Sequence, residues 1–189
     1  MSDDPCPEFP EYSTASSALD NLPFVLMVVL GAGMLRLSIT DSPAGWIWAG
    51  LYVLAGALGV LNVMLRLCPY CPSYGKRSCP CGYGVIAAKL RKAGDPRAFA
   101  GRFRGGILPL VPLWFIPPIA AIVALYDSFS WVLAILLAAF LLVGFVIIPV
   151  LSHQHGCKQC PQREACPWAG RTKPPVGGEA VEGSGGHVS

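Results

Sequence analysis

Cysteine carries the most chemistry in this 189-residue chain. The eight are Cys6, Cys68, Cys71, Cys79, Cys81, Cys157, Cys160 and Cys166. The first group is Cys68-Pro-Tyr-Cys71, then seven residues, then Cys79-Pro-Cys81. The second is Cys157-Lys-Gln-Cys160, then five residues, then Cys166, with His153 and His155 just ahead of it. A C-x-x-C turn lets two sulfurs converge on one ion or cluster, which is why the spacing recurs in zinc and iron–sulfur sites. One such pair is weak evidence of a metal; two, each followed by further cysteine, are strong evidence.

Six of the eight cysteines are followed directly by proline. A Cys-Pro step ends the bacterial ferredoxin ligand run, and proline stiffens a ligand loop while removing an N–H. The pattern therefore predicts iron–sulfur clusters of the 4Fe–4S type. Cys68, Cys71, Cys79 and Cys81 would hold one. Cys157, Cys160 and Cys166 would hold a second, helped by Cys6, His153 or His155. Zinc is the alternative, because either histidine completes a Cys₃His site; one shared site with spare thiols is a further arrangement. Gly75, Gly82 and Gly84 supply permissive backbone for turns around sulfur, and Tyr70, Tyr74, Tyr83 and Trp168 are candidates to shield a cluster or to sit at a membrane interface. The pattern assigns ligands and no catalytic residues. Cys68-Pro-Tyr-Cys71 also resembles the dithiol tetrapeptide of the glutaredoxins, over four residues, too short a match to carry function.

The elements that position these residues follow from hydropathy. Hydrophobic residues make up 53% of the chain and charged residues 13%, against about 25% charged in an average globular protein. A globule this small cannot hide so much apolar surface from water. Apolar runs at residues 22–39, 46–67, 107–126 and 130–151 are each long enough to span a hydrocarbon core of about 30 Å. The acidic stretch 1–21 lacks the positive start of a secretory signal, so the first run reads as a retained anchor. Short links join runs one and two and runs three and four, which forces antiparallel neighbours.

The expectation is an all-α membrane protein: four transmembrane helices as two helical hairpins, 22–67 and 107–151, with a cytoplasmic Cys-rich metal-binding region. That region comprises a Cys-rich basic loop, 68–106, and a Cys/His cluster, 152–169. A Gly- and Pro-rich tail, 170–189, reads as disordered. Pro109, Pro112, Pro117 and Pro118 should kink or break the third span. Asp95-Pro96 has the form of a helix start, opening a short helix with Phe99 and Phe103 on one face and suited to an anionic membrane surface; a plain solvated basic loop is the equal alternative.

Orientation follows from Lys and Arg. Lys76, Arg77, Lys89, Arg91, Lys92, Arg97, Arg102 and Arg104 crowd the central loop, and Lys158, Arg163, Arg171 and Lys173 follow the fourth run. The positive-inside rule puts both of these segments and both termini in the cytoplasm, with Trp46, Trp48, Tyr126 and Trp131 at the outer interface. All the cysteines then face a reducing compartment, where clustered thiols bind metal or do redox chemistry rather than form lasting disulfides.

The spans hold no His, Glu or Lys, which argues against a proton pump or an ion-coupled transporter. They offer no axial histidine for a transmembrane haem pair. Electrons could pass only along the cytoplasmic face, or to a quinone in a pocket such as the proline-broken third span would form. The expected function is an integral membrane iron–sulfur protein of the cell membrane, an electron-transfer component or a subunit of a larger redox complex. Its partners would be the lipid bilayer and a redox protein or quinone, and no nucleic acid, since no long soluble basic surface remains. The alternatives are a zinc-stabilised scaffold or assembly factor without catalysis, and a membrane thiol-disulfide or metal-handling protein.

Overall fold

The computed structural model describes residues 11–39 and 42–157. Among them every regular element is helical. Four helical stretches are long and apolar enough to cross a membrane: Thr14–Ser38, Pro43–Tyr70, Pro96–Asp127 and Trp131–Gln154. Each is longer than its apolar run.

Helix α1 (Thr14–Ser38) begins at Ser13, whose hydroxyl accepts the Ser16 N–H at 3.1 Å. This satisfies one of the amides that a helix start leaves unpaired. Helix α2 (Ser42–Arg66) returns antiparallel. A compact loop and the short helix α3 (Tyr83–Leu90) follow. The third stretch opens as expected at Asp95, whose carboxylate accepts the Arg97 N–H at 2.9 Å. It continues without a break: a 3₁₀ turn at Pro96–Ala98, helix α4 (Phe99–Ile107), a second 3₁₀ turn at Leu108–Leu110, then helix α5 (Val111–Asp127). The amphipathic segment carrying Phe99 and Phe103, whose rings lie 5.9 Å apart and tilted at 54°, is thus the polar beginning of the third long helix. The fourth consists of α6 (Trp131–Leu142), a π turn (Val143–Ile147), α7 (Ile148–Leu151) and a final π turn (Ser152–Cys157).

Three of the carbonyls that helix prolines leave without an N–H are answered by side chains. Pro117 has no N–H to give the Leu113 carbonyl one turn back; the Tyr52 hydroxyl of α2 donates to that carbonyl instead, at 2.8 Å. Pro109 likewise deprives Gly105, and the Asn62 amide donates to the Gly105 and Gly106 carbonyls at 3.2 and 3.0 Å. In the π register the Gly144 carbonyl would face the nitrogen of Pro149. Trp114 Nε1 of α5 supplies the missing donor at 3.0 Å. Tyr52 and Trp114 thereby answer acceptors inside the apolar stretches, for which a bilayer offers no water, while the Asn62 bond to Gly105 lies at the exposed end.

Helix α1 is the hub, packed against the other three long helices. Met27 and Met34 on it are fully buried, with Tyr52, Leu113, Ala121, Leu133 and Phe140 around them. The Tyr52 ring lies so close to Gly31 that a Cβ there would stand 2.6 Å from it. Val29, Ile119 and Ile135 instead point outward and are exposed, as lipid-facing side chains must be. At the hairpin tips Arg36 lies over the Trp46 ring at 5.2 Å, and Phe129 meets Trp131 edge-on at 5.0 Å.

Candidate metal centre

The end of α2 leads straight into the first cysteine pair. Cys68–Tyr70 form one 3₁₀ turn, closed by the Tyr70 N–H on Leu67 (3.1 Å) and the Cys71 N–H on Cys68 (3.0 Å). A second turn follows, with the Tyr74 N–H on the Cys71 carbonyl at 3.0 Å. The second pair sits on a similar turn: the Gly82 N–H closes on the Cys79 carbonyl at 3.0 Å, and α3 starts at the next residue. Gly82 has φ +71°, a left-handed conformation that glycine adopts without strain. The two turns are joined back to back by the Gly75 N–H on the Gly84 carbonyl at 3.2 Å. Gly84 must be glycine here, since a Cβ would stand 2.8 Å from the Ser73 carbonyl oxygen and 3.4 Å from the Cys79 Cβ.

The loop is tied to the bundle on both sides. The Gly94 N–H bonds Pro69 at 2.9 Å, Arg91 Nη1 bonds the Leu65 carbonyl at 2.8 Å, and the Tyr74 hydroxyl donates to the Arg91 carbonyl. Arg102 of α4 lies over the Tyr70 ring at 5.3 Å. From α1, the Asn21 amide donates to the Cys81 carbonyl at 3.0 Å and to the Ser17 carbonyl at 2.6 Å. The Tyr12 N–H reaches the Arg77 carbonyl at 3.0 Å. The start of α1, the cysteine loop and the end of α2 therefore share one end of the bundle. Neither Asn21 nor α3 was signalled by the spacing of cysteines. The apolar run Val85-Ile86-Ala87-Ala88 closing on Lys89 was the available sign of α3.

The structure gathers the first group of thiols. Cys79 Sγ and Cys81 Sγ are 3.6 Å apart. Cys68 lies within electrostatic reach of Cys79 and Cys71. Cys68 and Cys79 are buried, and Cys71 and Cys81 half-buried; none of the four forms a disulfide. The hydrogen bond from the Cys81 thiol pulls the Cys79 thiol below the ordinary thiol range, against the opposing effect of burial. The backbone N–H groups of Gly84, Gly82 and Cys81 turn toward the same sulfur and add to the effect. Cys81 moves the other way, upward, because its proton is held by Cys79 and it is itself buried. Burial also pushes the Tyr83 hydroxyl up to about 12. The arrangement stabilises one thiolate at Cys79 and keeps a proton on its neighbour.

Among the described residues, no group of three or more His, Cys, Asp or Glu side chains is set to hold a metal ion. The four thiols are neighbours around one turn pair without converging on one point. His153 is exposed on the last π turn. The helical backbone reaches Cys157, but the side chains of His155 and Cys157 lie outside the described residues, as do Cys6, Cys160 and Cys166 entirely. No protein-family model, no curated protein and no solved structure matches this chain.

Proposed function

We propose that the chain is a membrane-anchored iron–sulfur protein, an electron-transfer component or the membrane subunit of a redox complex, with its metal centre on the cytoplasmic face. The supporting observation is the surroundings of Cys79. Its sulfur lies 3.6 Å from that of Cys81, the nearby backbone N–H groups of Gly84, Gly82 and Cys81 favour its thiolate, and Cys68 stands within electrostatic reach. Amide donors aimed at sulfur stabilise thiolate, the form that binds metal, and they tune a cluster's potential. Cys68, Cys71, Cys79 and Cys81 would be the ligands, and bound iron would supply one-electron chemistry. The second cysteine group leaves the membrane at the end of the fourth helix. Cys6 lies six residues before Tyr12, within about 20 Å of extended chain, so a second centre could draw on both. The basic residues of this end support its cytoplasmic placement.

One distance favours a second reading. In a tetrahedral zinc site with sulfur at about 2.3 Å from the metal, neighbouring sulfurs lie about 3.8 Å apart. The Cys79–Cys81 separation of 3.6 Å is near that edge. A cubane cluster, with each thiolate on its own iron, spreads them further. A single tetrahedral ion would make the loop a zinc-stabilised scaffold element.

The deciding experiment is iron, zinc and acid-labile sulfide analysis, with an absorption spectrum, on full-length protein purified without oxygen. Iron with matching sulfide and a visible band that bleaches on reduction, lost in Cys71→Ser, establishes the cluster. Stoichiometric zinc without colour replaces it with the scaffold reading. Absence of all metal overturns both and leaves dithiol chemistry.

A further inference from the structure

A cavity of about 400 Å³ runs from the cysteine loop into the bundle. Cys81, Pro80 and Tyr83 form its loop end; Phe24, Val63, Leu110 and Trp114 form its inner wall. Ser152, where the fourth helix begins its final turn, also lines it. Its size falls within the range of small-molecule sites, and its character, apolar walls with a few polar groups at one end, is that of a binding pocket rather than a packing defect. The Phe24 and Trp114 rings stand 6.3 Å apart and tilted at 47°. The Trp114 N–H is already engaged by Gly144, so that side chain offers its face. The Tyr83 hydroxyl bonds no described residue and is a donor available at the polar end.

We infer that this cavity binds a flat, lipid-soluble ring bearing carbonyl acceptors, a molecule of the quinone class, with the ring against Phe24 and Trp114 and one carbonyl toward Tyr83 beside Cys81. The inference rests on the redox reading for its choice of quinone over a plain lipid chain. The walls belong to all four long helices and to the loop, so a ligand arriving from the bilayer would end next to the proposed centre. A carbonyl oxygen also offers the Tyr83 hydroxyl an acceptor, which a hydrocarbon chain cannot.

The test uses the full-length protein in micelles, titrated with decylubiquinone and followed by quenching of tryptophan fluorescence, with decylbenzene as the ring without acceptors. Saturable quenching by the quinone alone is expected. Val63→Phe, which fills the cavity, should weaken it at least about tenfold. Val29→Phe, on the outward face of α1, should leave it unchanged. Cys71→Ser removes a proposed ligand that does not line the cavity, and should keep quinone binding while losing metal. Non-saturable quenching, equal binding of decylbenzene, or an unaltered response in Val63→Phe overturns the inference. Saturable binding in a protein that holds no iron leaves the cavity site standing and rejects only the cluster.

Discussion

Replacing Tyr52 with phenylalanine keeps the ring against Gly31 and removes only the hydroxyl that donates to the Leu113 carbonyl at 2.8 Å. That carbonyl has no helical partner, because the residue one turn on is Pro117. The substitution therefore leaves a buried acceptor without a donor. Losses of this kind are worth about 1–2 kcal/mol, and hydrogen bonds between membrane helices fall toward the lower half of that range. The structure also says how to abolish the effect. Pro117→Ala restores a backbone N–H aimed at Leu113, so Tyr52→Phe in that background should cost no more than about 0.5 kcal/mol. The assay is reversible unfolding in mixed detergent micelles of the wild type, the two single variants and the double variant. Proline has its own effect on the helix, and the cycle cancels it. An equal cost of Tyr52→Phe in both backgrounds would refute the argument that Tyr52 answers the carbonyl that Pro117 abandons.

Three further outcomes follow from the loop. Gly84→Ala should drive the Ser73 carbonyl away and lower metal retention against a chelator by about 10–100-fold, whereas Gly101→Ala, with nothing within 4 Å of the added Cβ, should leave retention unchanged and raise stability by up to about 1 kcal/mol. In metal-free protein, thiolate absorbance compared with that of Cys79→Ser should show Cys79 ionising with a midpoint below that of an ordinary thiol; because its folded value is lowered, the associated stability is present above the ordinary thiol range and is lost as pH falls through that midpoint. Cys81→Ala removes the principal donor and should move that midpoint upward; an unmoved midpoint would dismiss the hydrogen bond as its cause. Asn21→Ala cuts the tie from α1 to the Cys81 carbonyl, and hydrogen exchange in the 79–82 turn should quicken by about tenfold, while exchange in α6 stays unchanged.

Hydropathy alone revealed the four long helices, since nothing else accounts for runs so apolar on every side. The Asp95-Pro96 start was also legible, because a cap is a local matter of adjacent residues. The continuity of the third helix was not. Pro109 and Pro112 read as a kink or a break, yet a 3₁₀ turn absorbs them and Asn62, on a helix more than forty residues earlier, answers the carbonyl that Pro109 leaves. Tyr52 and Trp114 were hidden for the same reason: their roles depend on which helix lies alongside. At the loop, spacing grouped Cys68 with Cys71 and Cys79 with Cys81, and the sulfur contact falls between Cys79 and Cys81. It could not show that backbone amides turn toward Cys79, since that depends on the left-handed Gly82 and the close approach at Gly84. Cysteine spacing also carried no information on which pair would touch, and the contact falls on the Cys-Pro-Cys step rather than on the C-x-x-C turn.

The donors that Tyr52 and Asn62 extend to the third helix bear on how the protein is assembled. The helix that needs them is made after the helix that provides them. Until the first hairpin lies alongside, the later segment would enter the bilayer with carbonyls that neither lipid nor its own backbone can satisfy. The earlier hairpin thus acts as a template, and a second hairpin that docks in the wrong place or register keeps those carbonyls unpaired. Proofreading of helix placement is built into the positions of two prolines and the side chains that answer them.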